Sequence, residues 1–153
     1  VLDYGAGLGH GTAILQDVSG QCTDSFEPNP NNWNPTYKKV TQIKKNYDII
    51  VCLNVLNVLP PQSQAEVVQQ MYDILSLNGT LFIGTRSWKG DVDQTKNFTH
   101  TTEPKSVYTQ GTYQRGFDGD ELKEFVQSII PVEIIPTRSM FCKNSIICYR
   151  SIL

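Results

Sequence analysis

The chain has 153 residues, 39% of them hydrophobic and 18% charged, with a formal net charge of −2, and reads as one globular domain, 1–153, built on a single core. That balance excludes a general electrostatic attraction to nucleic acid, so such a partner would need a local patch. No apolar run approaches the ~20 residues that span a bilayer, which argues against a membrane partner.

Cys22, Cys52, Cys142 and Cys148 form no C-x-x-C pair and fall mostly in segments that read as buried strands. They are expected to be reduced core residues of a cytoplasmic protein, with neither a metal site nor a disulfide framework.

Val1-Leu2-Asp3-Tyr4 is a short apolar strand carrying an acid, and it opens into Gly5-Ala6-Gly7-Leu8-Gly9, with glycine at every second place. Residues 12–18 then carry Ile14, Leu15 and Val18 at helical spacing, and Gly20 supplies a stop. A loop of this kind lets a ligand lie against peptide groups, and the helix start behind it presents unpaired N–H groups. The pattern predicts a nucleotide-type cofactor at the end of the first strand. A dinucleotide fingerprint needs its third glycine at relative position six, which is His10 counted from Gly5 and Thr12 counted from Gly7. Both frames fail.

Residues 21–26 read as a second strand ending at Glu27 and stopped by Pro28-Asn29-Pro30. Ligands of parallel sheets sit beyond the carboxyl ends of the strands, so Glu27 is expected beside the glycine loop, where a carboxylate can accept both hydroxyls of a ribose. Asp24, inside the strand, is its competitor. A polar loop follows, and residues 37–43 read as a weak third strand. Lys38, Lys39, Lys44 and Lys45 around it read as a solvated edge.

Residues 48–53 are a continuous apolar run, the pattern of a central strand buried on both faces. Pro60-Pro61 and the capping box from Ser63 to Glu66 open a helix with Val67, Met71, Ile74 and Leu75 as its stripe and Asn78-Gly79 as its end. Residues 80–85 form the next strand. Residues 87–117 show no periodicity and carry Trp88, Phe98, Tyr108, Tyr113 and Phe117, which predicts a long functional loop at the ligand end of the sheet. Arg86, Trp88, His100, Tyr113 and Arg115 are its candidates to orient a substrate. Asp118 or Asp120 can cap a last helix with Leu122, Phe125, Val126 and Ile129 on one face, and residues 132–135 and 145–150 read as two closing strands joined by a turn over 137–144.

Asp3, Gly5, Gly7 and Gly9 resemble the first motif of class I S-adenosylmethionine-dependent methyltransferases. Tyr47-Asp48 with Val55-Leu56-Asn57-Val58-Leu59 resembles the fourth motif, and Leu77-Asn78-Gly79-Thr80-Leu81 resembles the turn before the fifth strand. The resemblance implies an α/β, Rossmann-like three-layer sandwich with a mostly parallel sheet of about seven strands and an antiparallel last strand. It also implies S-adenosyl-L-methionine as cofactor, held by Asp3, Gly5, Ala6, Gly7, Gly9, Glu27, Pro28, Leu53 and Asn54, with Gln42 on the adenine edge and Ile43 on its face. It covers the chain apart from residues 87–117 and the leader helix that usually precedes this core, since the sequence opens on Val1 at the first strand.

Asn54-Val55-Leu56-Asn57 is not the Asp/Asn/Ser-Pro-Pro-aromatic tetrad of enzymes that methylate exocyclic amino groups of bases, and no proline-cysteine pair marks a nucleophile for cytosine C5. A small-molecule acceptor is favoured, with nucleic acid and the oligomeric state left open. Alignment of an acceptor with the methyl group needs no general base if the acceptor is already nucleophilic. His10, His100 and Tyr113 are the catalytic candidates. Two rivals stay open: a catalytically silent cofactor-binding partner subunit, and a nicotinamide-dependent oxidoreductase, which the glycine spacing and the lack of Tyr-x-x-x-Lys disfavour.

Overall fold

The apolar segments assemble into one sheet in the computed structural model, which describes residues 1–137 and 144–151. In chain order the first elements are β1 (Leu2–Tyr4), α1 (His10–Ser19), β2 (Asp24–Phe26), β3 (Tyr47–Leu53), α2 (Pro61–Asp73) and β4 (Leu75–Thr85). After them come β5 (Phe98–His100), β6 (Ser106–Thr109), β7 (Thr112–Arg115), α3 (Glu121–Gln127), β8 (Glu133–Thr137) and β9 (Asn144–Tyr149). The main sheet has six strands in the order β2-β1-β3-β4-β9-β8. Its first four run parallel, while β9 lies antiparallel to both β4 and β8. Parallel neighbours need crossovers, which α1 and α2 supply.

The period-two alternation of the strands sorts their side chains by face. Ile50 and Cys52 of β3 and Leu81 and Ile83 of β4 join Val68 and Met71 of α2 and Leu122 and Val126 of α3 in one core. Each such aliphatic side chain contributes about 1.5–3 kcal/mol by leaving water. The intervening residues Ile49, Val51 and Leu53 face an apolar groove of about 430 Å³, with Leu15 and Val18 of α1 on one side and Phe82 and Ile147 on the other. The expectation of a strand buried on both faces is therefore corrected. α1 buries no residue, Val18 is 82% exposed, and Leu53 is 45% exposed.

Residues 37–43 do not form a third strand. Tyr37 makes a single parallel bridge to Phe26, and the next two backbone donors, Lys38 N–H and Lys39 N–H, are taken by the side-chain oxygen of Gln42 at 2.8 and 2.9 Å. A side chain that satisfies the backbone locally removes the ladder's driving force, and a 3-10 turn at Val40–Gln42 results. The lysines flank this turn, with Lys45 paired to Asp24 at 2.7 Å.

The second helix starts at Pro61, so Ser63 and Glu66 lie inside it and no side chain caps its first turn. Proline at the first helical position sets that start instead. It ends at Asp73 rather than at Asn78, because Tyr47 N–H takes Ile74 O at 2.9 Å and draws Leu75 into β4. The last helix begins after Asp120, whose side chain makes no capping bond.

The largest correction concerns residues 87–117. They contain a 3-10 turn at Val92–Gln94 and a separate antiparallel sheet, β5-β6-β7. Gln110 (φ 49) and Gly111 (φ 75) join Thr109 to its partner Thr112. Two consecutive positive φ angles are the signature of the hairpin turn whose twist matches the flanking strands. Cys52 and Cys148 are buried as expected, Cys22 is exposed against expectation, and Cys142, with most of the 137–144 turn, lies outside the described residues.

Candidate active site

Gly5 and Gly9 are glycines for steric reasons. Both have left-handed backbones, φ 81 and φ 83; a Cβ on Gly5 would stand 2.2 Å from Val55 Cγ2, and one on Gly9 would stand 3.1 Å from the Trp33 ring. The loop is pinned to the neighbouring strand, since Gly5 N–H and Ala6 N–H both donate to Phe26 O at 2.8 and 3.0 Å. Gly7 is held at both ends of its residue. Its N–H donates to Glu27 Oε2 at 2.8 Å, and its carbonyl accepts the Trp33 indole N–H at 2.8 Å. The second Glu27 oxygen accepts Asn29 N–H at 2.9 Å.

Beyond the carboxyl ends of β1, β2 and β3 this loop borders a cavity of about 460 Å³, within the range of roughly 300–1,000 Å³ typical of small-ligand sites. Tyr4, Phe26, Val55, Val58 and Leu59 give it apolar walls, and Glu27, Asn29, Asn54 and Gln70 give it polar groups. Asn54 adopts φ 58 at the tip of β3, with its N–H on Gly84 O at 2.8 Å. Tyr4 Oη donates to Gln70 Oε1 at 2.7 Å. Burial, and next the thiol of Cys52, push the Tyr4 phenol above its ordinary range, so it stays a neutral donor.

Gly5, Gly7, Glu27, Pro28 and Asn54 therefore line the cavity. Asp3, Ala6 and Gly9 stand behind it. The Asp3 carboxylate is buried and accepts Thr12 Oγ1 at 2.7 Å; burial raises its pKa, the Thr12 bond lowers it, and the charge of Glu27 raises it again, for a net increase. Three of the expected cofactor residues do not line this cavity. Gln42 spends its oxygen on Lys38 and Lys39, Ile43 is a core residue, and Leu53 faces the groove on the opposite side of β3 from Cys52. Asp24 sits at the far end of β2 from Glu27, bound by Tyr47 Oη at 2.6 Å and by Lys45.

The acceptor-side candidates are not brought together. His10 is exposed at the first residue of α1, and His100 is exposed and stacks edge-on with Phe98 at 4.9 Å. Trp88 is half-buried, with its carbonyl taken by Asp93 N–H at 3.0 Å. Tyr113 is buried edge-on to Tyr108 at 5.7 Å, and its hydroxyl has no hydrogen-bond partner among the described residues. Arg115 is committed to the fold: Nη1 donates to Gln64 Oε1 at 2.7 Å while the guanidinium lies 4.6 Å over the Phe117 ring. Gln64, with no exposure, in turn donates to Leu56 O and Leu59 O at 2.8 Å, so this arginine braces the turn that borders the cavity.

Arg86 does not line the cavity either, and its guanidinium is held by its neighbours. Its Nε donates to Asp91 Oδ1 at 3.0 Å and its Nη1 to Gln114 Oε1 at 3.5 Å, and that oxygen also accepts Asn57 Nδ2 at 3.3 Å. Trp33 and Gln114 carried no local sequence signal as site residues.

Residues 34–105 match the family model "CheR methyltransferase, SAM binding domain". No curated protein matches by sequence. Among solved structures, an S-adenosylmethionine-dependent methyltransferase from Clostridium acetobutylicum is 10% identical, with 98% of this chain and 83% of that chain covered and a TM-score of 0.67. An S-adenosylmethionine-bound amino pentose methyltransferase from Micromonospora echinaspora is 12% identical over 97% of this chain and 82% of that one, at 0.67. The 1,6-didemethyltoxoflavin-N1-methyltransferase of Burkholderia thailandensis is 14% identical over 99% and 70%, at 0.65. At such identities the structural likeness establishes the fold alone: the chain has the class I methyltransferase fold, and its residues 34–105 are similar to a methyltransferase S-adenosylmethionine-binding domain.

Proposed function

We propose that this chain transfers a methyl group to a small-molecule acceptor, and that the cavity bounded by Gly5, Gly7, Glu27 and Asn54 holds S-adenosylmethionine. The observation that carries this reading is the Glu27 carboxylate, fixed at the cavity by Gly7 N–H and Asn29 N–H. Each of its oxygens has spent one acceptor site and retains another, which suits the two hydroxyls of a ribose. Gly7 faces open space, with nothing within 4 Å of where a Cβ would project, so the loop leaves room for a ligand against its peptide groups. Tyr4, Phe26 and Val55 offer apolar surface to the rest of the cofactor.

The bound cofactor supplies a methyl group made electrophilic by its sulfonium. The chain's work is to hold the acceptor's lone pair in line with that methyl and to exclude water, an alignment that can lower a barrier by roughly 7–11 kcal/mol. Neither histidine lines the cavity, so this reading assigns no protein base and relies on an acceptor that is already nucleophilic. The amino pentose and didemethyltoxoflavin methyltransferases are named for small molecules, which supports an acceptor of that size. The same reading treats the chain as one domain in which residues 87–117 serve the acceptor.

Calorimetric titration with S-adenosylhomocysteine tests the cofactor half, with a nicotinamide dinucleotide as control. Glu27→Ala and Gly7→Asp should each weaken binding at least about tenfold. Asp tolerates a left-handed backbone better than most residues, so Gly7→Asp should still fold. Dinucleotide binding in place of S-adenosylhomocysteine would overturn the reading.

A further inference from the structure

A second cavity, of about 440 Å³, lies against the β5-β6-β7 sheet. Its charged lining residues are Arg86 and Lys96, and every other lining residue is neutral and polar or small, Gln114 among them. The cations are held differently. Arg86 directs Nε and Nη2 at one oxygen of Asp91, which leaves Nη1 with only the long 3.5 Å contact to Gln114. The Lys96 side chain is exposed and has no carboxylate partner among the described residues.

One hydrogen bond ties the lining of the second cavity to the turn that borders the first. Gln114 lines the second, and its Oε1 accepts Asn57 Nδ2 at 3.3 Å. Asn57 lies between Val55 and Val58, which line the first. It is 1% exposed, and its Oδ1 has no hydrogen-bond donor among the described residues. An orphaned buried acceptor is costly and uncommon in a native fold, and this one belongs to the turn that borders the first cavity.

We infer that the second cavity is the anion subsite of the acceptor: the substrate is a small molecule bearing a carboxylate or phosphate, which Arg86 and Lys96 bind while its nucleophilic end reaches past Asn57 toward Asn54. A planar guanidinium with a free edge and a nearby ammonium match either anion. The inference rests on the methyltransferase reading above and adds the substrate's charge.

The test uses the full chain labelled with ¹⁵N and saturated with S-adenosylhomocysteine, titrated at constant ionic strength with inorganic phosphate, acetate and, as neutral control, acetamide. Saturable amide shifts confined to residues 95–97 and 110–114 are expected with phosphate, acetate or both, and the stronger of the two identifies the acceptor's anion. Arg86→Gln, which keeps a donor for Asp91, should raise the apparent Kd about tenfold, and Lys96→Met, at an exposed position, about threefold. Equal shifts with acetamide, no shifts, or shifts unaltered by both variants would overturn the inference. Because S-adenosylhomocysteine binding is recorded in the same samples, its failure would count against the cofactor reading, whereas cofactor binding without anion shifts would count against the subsite alone.

Discussion

Replacement of Gly5 by alanine tests whether the glycine loop is shaped by its contact with the turn after β3. The left-handed backbone at φ 81 costs a Cβ-bearing residue about 1–2 kcal/mol. The new Cβ would also stand 2.2 Å from Val55 Cγ2, far inside van der Waals contact, and overpacking of this kind costs about 1–3 kcal/mol. Gly5→Ala should therefore lose about 2–5 kcal/mol. Val55→Ala alone removes two methyl groups from a half-buried side chain and should lose about 1–2 kcal/mol. In the double variant the overlap disappears and only the backbone strain and the lost methyls remain. Urea unfolding of the four proteins, with m unchanged, should then give a coupling of about 1–3 kcal/mol in favour of the pair. Simple additivity would refute the steric argument and leave backbone strain as the whole reason for glycine at this position.

Three further outcomes follow from the contacts. Burial raises the Asp24 carboxyl, but bonds from Lys45 and Tyr47 outweigh it and hold the pKa below its ordinary 3.8; the stabilisation is therefore present above that value and lost as the pH falls through the lower, folded value. Asp24→Asn should cost about 1 kcal/mol at neutral pH, and the gap in Tm between the two proteins should close on acidification; a gap independent of pH would contradict the assignment. Arg115→Met strips the buried Gln64 of its Oε1 partner and Phe117 of its cation, and should lower stability by about 1–3 kcal/mol in chemical denaturation. Iodoacetamide on the native protein, mapped by peptide mass, should modify Cys22 and spare Cys52 and Cys148, since both are buried and the Cys148 thiol is pushed up to about 12 by burial; rapid modification of Cys148 would contradict its placement in the core.

The parts of the site legible in the sequence are those where local chemistry permits one solution. Three alternating glycines after an apolar strand dictate a loop of positive φ, and Pro28 after Glu27 ends the second strand where the carboxylate meets that loop. Residues 37–43 carry enough apolar character to pass for a strand, and nothing in their order reveals that the Gln42 side chain will take the backbone donors of Lys38 and Lys39. The Gln110-Gly111 hairpin was readable from its turn chemistry and from the strand-forming residues on either side, but the length and polarity of the segment masked it. Leu53 and Asn54 adjoin in sequence and diverge in space, because the alternation of β3 sends Leu53 to the groove. Contacts such as Asn57 with Gln114 and Trp33 with Gly7 join residues 57 and 26 positions apart, beyond the reach of any local pattern.

The indole of Trp33 has a consequence of an optical kind. The chain contains only two tryptophans, and this one is tied by its N–H to the carbonyl of Gly7 and lies with its ring on Gly9. A shift of the glycine loop must change the hydrogen bond and polarity around that ring, while Trp88 belongs to the segment after β4. A Trp88→Phe background would leave a single intrinsic fluorophore seated on the loop, so that occupancy beside Glu27 could be followed by emission in real time without a label.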